Sequence, residues 1–202
     1  MSHEINLSQN AGVAKGRTPQ KNDTVSNIGL RGQFTIEHTR NGEVLNSYQF
    51  PNGIVDEGKD RLFDIMFVSA TQLTSWYMGL IDNSGYTAIA DDDTYDDIDQ
   101  AGNGWKEYQT YTDAGNGDSA LTRPEWVAAA ASGESVSNSS QTVFDMTGTG
   151  TVKGLFICGG TGADTKGNHA STGVLWATAL FDQGDTAVVN GDQLKVTYTV
   201  SA

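Results

Sequence analysis

Six aspartates between positions 91 and 99 (Asp91, Asp92, Asp93, Asp96, Asp97 and Asp99) form the densest cluster of potentially reactive side chains in the sequence. Hard cations are held by several oxygens, and a calcium-binding loop spaces them in a fixed order. With Asp97 as first ligand, Asp99 falls third, Gly102 sixth and Asn103 seventh, but Ala101 stands fifth and Tyr108 stands twelfth, where a bidentate Glu belongs. The frame fails at two ligand positions. No metal and no cofactor are expected, and the run reads as a solvated acidic loop able to face a cationic partner. His3, His38 and His169 lie far apart, without a Glu or His at helical ligand spacing. A Ser–His–Asp triad need not be local in sequence, but neither Ser84 nor Ser132 sits in a Gly-x-Ser-x-Gly elbow. Gly159-Gly160-Thr161-Gly162 offers backbone amides to an anion but lacks a following Gly-Lys-Ser/Thr, so it reads as a flexible turn within the Gly-rich stretch 159–171. Cys158 lies in an apolar run and reads as a small buried hydrophobe rather than a reactive thiol. The inventory points away from an enzyme.

The elements that would position these residues are mostly strands. Val143–Met146, Lys153–Cys158, Gly173–Phe181 and Gln193–Val200 are short apolar runs separated by turn residues. In the last, Leu194, Val196, Tyr198 and Val200 alternate with Lys195, Thr197 and Thr199, the pattern of a half-buried antiparallel strand. Asn41-Gly42 predicts a tight hairpin between strands at Gln33–Glu37 and Val44–Phe50. Ser75–Asp82 and Trp105–Tyr111 are further strand candidates, and Arg123-Pro124-Glu125-Trp126 reads as extended. One helix is predicted over Asp56–Ser69, with Asp56 as its cap, Glu57 in the first turn, and a core-facing stripe of Leu62, Phe63, Ile65, Met66 and Phe67. Most of Trp76, Trp105, Trp126 and Trp176 are expected to anchor the core, an exposed aromatic for carbohydrate recognition being the alternative. The expected fold is mainly β: an antiparallel β-sandwich or jelly-roll-like barrel with one short helix and an extended N-terminal arm.

At 202 residues the chain suits one domain. Its net charge of −13 repels a phosphate backbone, so nucleic acid is not an expected partner. A single cysteine precludes an internal disulfide, no secretory signal is expected, and no run approaches membrane-spanning length. Residues 1–28 differ from the body at 29–202: they lack aromatics, and Lys15, Arg17 and Lys21 outnumber Glu4 and Asp23. So polar a segment cannot order itself alone. It reads either as a solvated tail or as an arm that is flexible in the free protein and orders against a partner. Ile5, Leu7, Val13 and Val25 are spaced to fill separate pockets, while Lys15, Arg17 and Lys21 pair with acidic groups, including those of an adjacent copy.

Several motifs then recur in a recognisable order: Trp76-Tyr77-x-Gly79-Leu80-Ile81-Asp82, Asp92-Asp93-Thr94, Gly104-Trp105-x-Glu107, Tyr111, Arg123-Pro124-x-Trp126, Phe144, Gly154-x-Phe156, and Gly191-Asp192-x-Leu194-x-Val196-x-Tyr198. Over Gln33–Ala202 the sequence resembles small virion proteins of tailed bacteriophages encoded close to the major capsid protein. The resemblance implies a structural role in head decoration or cementing: binding the outer surface of the major capsid protein shell, as a homotrimer at capsid symmetry axes. It transfers no catalytic residue. It implies a virion component made in the bacterial host cytoplasm. Two other functions remain from the residues themselves. A tail-fibre or receptor-binding component would use exposed aromatics and Gly-rich loops. An enzyme acting on cell-wall carbohydrate would need paired carboxylates in a cleft.

Overall fold

The computed structural model describes residues 29–100, 102–169 and 172–202. Arg31–Arg40 (β1) and Glu43–Ile54 (β2) form the first hairpin. Its turn places Asn41 at φ 52° and Gly42 at φ 82°, as a two-residue turn matched to the twist of its strands requires. The helix α1 (Asp56–Phe67) follows, then β3 (Trp76–Asp82), β4 (Glu107–Tyr108) and β5 (Tyr111–Asp113). The remainder is β6 (Ser135–Ser137), β7 (Thr142–Met146), β8 (Gly150–Gly160), β9 (Gly173–Leu180), β10 (Thr186–Val188) and β11 (Asp192–Ser201).

All eleven strands belong to one antiparallel sheet, ordered β4-β3-β8-β9-β2-β1-β11-β7-β5, with β10 added to β8 and β6 to β11. Its two ends, β4 and β5, are separated in the chain only by Gln109 and Thr110. The sheet therefore curls back towards itself, and it forms a half-barrel. Its two halves meet through β2 and β9 at Gly53↔Thr178 and Ile54↔Ala177. The fold is mainly β and barrel-like, as expected.

Alternation places Phe34 and Ile36 of β1, Met78 and Leu80 of β3, Leu155 and Ile157 of β8, and Leu194, Val196 and Tyr198 of β11 in one core. The opposite face of β3, β8 and β9 is buried too. There Ile81, Phe156, Cys158 and Leu175 pack with Val55, Tyr95, Ile98 and Trp105. Val196→Ala should cost roughly 1–3 kcal/mol from lost burial and residual void. Urea denaturation checks this; an unchanged midpoint would mean that the strand's inner face is misplaced.

Several sequence expectations need correction. Asp56 is not the helix cap. Val55 occupies that position in extended conformation, Asp56 is the first helical residue, and it pairs with Lys59 at 2.8 Å. Glu57 instead accepts the N–H groups of Tyr95 (2.8 Å) and Leu175 (2.6 Å), tying the helix start to the acidic loop and to β9. The helix stripe does not face the core. Gly58 is the buried residue of α1, because the helix approaches β9 so closely that a Cβ there would lie 2.6 Å from the Trp176 carbonyl oxygen. Nor is the acidic stretch merely solvated. Tyr95 and Ile98 are fully buried, while Asp93 accepts from Trp105 Nε1 (3.0 Å) and Asp97 from the Thr94 N–H (2.7 Å). Three of its carboxylates, Asp99 included, serve as turn-forming acceptors.

Candidate docking surface

The buried reactive groups form one cluster. Arg123 donates to both Glu107 carboxylate oxygens, Nε to Oε1 at 2.8 Å and Nη2 to Oε2 at 2.7 Å. It also donates to the carbonyls of Ala163 (2.9 Å) and Asn168 (3.1 Å) and lies over the Phe156 ring. Glu107 further accepts from the Gly167 N–H (2.6 Å) and the Tyr111 hydroxyl (3.3 Å). Lys166 sits over the Tyr111 ring at 3.6 Å, and burial lowers its pKa to about 8. Burial pushes the Cys158 thiol up to about 12, so it is protonated at neutral pH. Arg123, Glu107 and Cys158 have no useful exposure. This constellation resembles a nucleophilic site in composition, but its side chains are buried. Its product is mechanical: it fastens 161–169, which the glycine content suggested was a flexible turn, against β4 and β8.

The other sequence candidates are similarly spent or separate. His38 Nε2 donates to Asp192 Oδ2 at 2.9 Å, and Arg40 grips the same carboxylate through Nε (2.6 Å) and Nη2 (2.9 Å). His169 is exposed and contacts the Gly167 carbonyl. Among the described residues, no group of three or more His, Cys, Asp or Glu is placed to hold a metal ion. A cleft of about 620 Å³ is bordered by Asp113, Glu125 and Asp164. Burial raises the Asp113 pKa, and its oxygens already accept from the Gly115 N–H (2.9 Å) and the Thr122 hydroxyl (3.3 Å). The six residues singled out for partner contact (Ile5, Leu7, Val13, Lys15, Arg17 and Lys21) and the 1–28 arm itself lie outside the described residues.

A second feature is apolar. Phe63, Met66 and Phe67 of α1 and Val68, its C-cap, expose 56%, 65%, 74% and 70% of their surface. Beside them runs a groove of about 320 Å³, where Leu62 and Ile65 of the helix face Leu73, Trp76, Trp126 and Trp176. Leu30, Val136, Tyr198 and Val200 complete its walls. The groove is where the half-barrel's interior meets solvent: Trp126 and Tyr198 are core residues, and Trp76 and Trp176 pack on the core while half-buried. Trp76 and Trp176 meet edge-to-face at 5.8 Å, and Trp176 Nε1 donates to the Tyr198 hydroxyl at 2.9 Å, which fixes the wall. The expectation of tryptophan core anchors thus holds for Trp105 and Trp126 but only partly for the other two. Sequence reasoning found the apolar stripe of α1 and assigned it to the wrong environment. Contiguous exposed apolar surface of this kind marks an interaction site.

No protein-family model, curated protein or solved structure matches the chain. No helix among the described residues is long and apolar enough to cross a membrane.

Proposed function

We propose that this protein is a non-enzymatic capsid decoration protein, which binds the outer surface of a tailed-phage head and stabilises the major capsid protein shell. The observation that carries a docking role is the exposed apolar surface of α1 and its C-cap, Phe63, Met66, Phe67 and Val68, on a body of net negative charge. Exposed apolar side chains grouped in this way favour burial against a partner surface. The buried reactive groups support the same reading, because their donors and acceptors are taken up by structural contacts. The identity of the partner comes from the ordered motifs between Trp76 and Tyr198 that resemble virion proteins encoded beside the major capsid protein. Homotrimer formation on the head follows from that resemblance and belongs to the same proposal.

The location test is cryo-electron microscopy of intact particles. Density for the half-barrel on the head supports the reading, and density on the tail alone would replace it with a receptor-binding role. The residue-level test is Met66→Asp/Phe67→Asp. Both side chains are exposed, so unfolding stability should change by no more than the small range of surface substitutions, about 0.5 kcal/mol each. Loss of two apolar anchors should weaken binding to undecorated heads by at least about 30-fold, the equivalent of roughly 2 kcal/mol. Unchanged head occupancy would remove α1 from the interface.

A further inference from the structure

We infer that the groove between α1 and the tryptophan wall is the docking site of this chain's own residues 1–28, led by Val25 and Ile28. The inference is independent of the capsid reading. Four observations converge on it. The first is where the described chain begins: Leu30 is itself a wall of the groove, so the residues before it enter at that point. The second is length. Twenty-eight residues can extend roughly 90 Å at ~3.3 Å each, whereas a 12-residue helix is only about 18 Å long. The segment can fill the groove without a second molecule.

The third observation is unmet hydrogen bonding. Arg61 Nε and Trp126 Nε1 belong to groove-lining residues, are buried, and have no acceptor among the described residues. A buried donor left unpaired costs about 1–3 kcal/mol. An extended chain laid in the groove brings backbone carbonyls, with the side chains of Ser26 and Asn27 as further acceptors. The fourth is charge. The hollow that adjoins the groove through Arg61 carries Asp56, Glu57, Asp60 and Asp64 of α1, together with Asp92, so carboxylates outnumber its one cation. Lys15, Arg17 and Lys21 give the segment the opposite sign. Apolar residues that enter the groove therefore bring cations to the adjoining acidic hollow. Tethering at Leu30 keeps the effective concentration of the segment high, which favours this occupant over a free partner.

The experiment uses the full chain. Val25→Cys is paired with Ile65→Cys in the groove and, as a control, with Val44→Cys, which is exposed on β2. Native Cys158 is buried and does not compete. Under mild oxidation the Val25/Ile65 pair should form an intramolecular disulfide at least about tenfold faster than the Val25/Val44 pair, the ratio expected for docked against merely tethered thiols. Equal rates, or an intermolecular product, would overturn the inference; the latter would assign the groove to a second copy. A variant without engineered thiols provides the other readout. Three of the four tryptophans line the groove, so Val25→Ser/Ile28→Ser should roughly double their quenching by acrylamide. Unchanged quenching would mean that the groove is open in the parent protein and awaits a different partner. Loss of head binding by the α1 variants with the groove disulfide intact would separate this inference from the decoration reading.

Discussion

Arg123→Met will destabilise the protein by about 3–5 kcal/mol, because it strands the Glu107 carboxylate in a buried site. The wild-type pair is bidentate, 2.7–2.8 Å, with neither side chain exposed. Removing the guanidinium also takes one donor from each of the Ala163 and Asn168 carbonyls and, among the described residues, leaves Glu107 with the Gly167 N–H and the Tyr111 hydroxyl. For a domain of this size the melting temperature should fall by about 6–20 °C. Arg123→Lys should be only partly better, since an ammonium supplies the charge but not the planar fork. The decisive comparison is Glu107→Gln/Arg123→Met. Removing both charges relieves the stranded carboxylate, so the double variant should be more stable than Arg123→Met alone. Thermal unfolding of the three variants checks the order. A double variant as damaged as the sum of its parts would show that the pair's net charge balance is irrelevant and that packing alone is at stake.

That pair also explains what the sequence could and could not convey. Glu107 and Arg123 are 16 residues apart and share no helical or strand period. Nothing local distinguishes them from surface charges, and only the tertiary fold brings them to Phe156 and Ala163. Residues 161–169 read as a flexible turn for the same reason, because the contacts that fasten them come from other elements. Alternation, in contrast, is a local consequence of the pleat. It correctly placed Leu194, Val196 and Tyr198 inside and Lys195 and Thr197 on the other face. The Asn41-Gly42 turn was legible because both positions adopt positive φ. β6 and β10 were missed because three-residue edge strands carry no period: Ser135–Ser137 has one apolar residue, and Thr186–Val188 buries only Val188.

The stripe of α1 shows a further limit. The positions of Leu62, Phe63, Ile65, Met66 and Phe67 establish which residues share a side of the helix. They do not establish what lies opposite. Gly58 lets the helix start sit against Trp176, whereas Phe67 at the other end is exposed. Amphipathicity therefore read correctly as a pattern and incorrectly as a core contact. The proposed docking role rests on the part of the pattern that the described body of the protein does not satisfy.

Acidification should remove stability through one carboxylate above all, Asp192. Its side chain is fully buried between β1 and the turn before β11. The Arg40 guanidinium, aided by His38 and the Val189 N–H (3.0 Å), holds the Asp192 carboxyl well below the usual carboxylate range. A carboxylate whose folded pKa is depressed stabilises the fold fully above its unfolded value, about 3.9, and loses that contribution as pH falls through the folded value. Glu57 and Asp93 have the opposite sign. Burial raises both, so their protonation begins earlier in the folded state and partly relieves a desolvation cost as pH drops towards the unfolded carboxylate range. Stability should therefore be nearly level, or rise slightly, from pH 7 to about 4.5, and then fall steeply below about 4. Asp192→Asn should cost about 2–4 kcal/mol at pH 7, after allowance for an Arg40 that is 41% exposed and screened by solvent. The variant should also lose most of the acid limb, so the gap between it and the parent narrows as pH falls from 4 to 2. Urea melts of both proteins across that range provide the test. A gap as wide at pH 2.5 as at pH 7 would mean that Asp192 stabilises through shape and neutral hydrogen bonds, not through its charge.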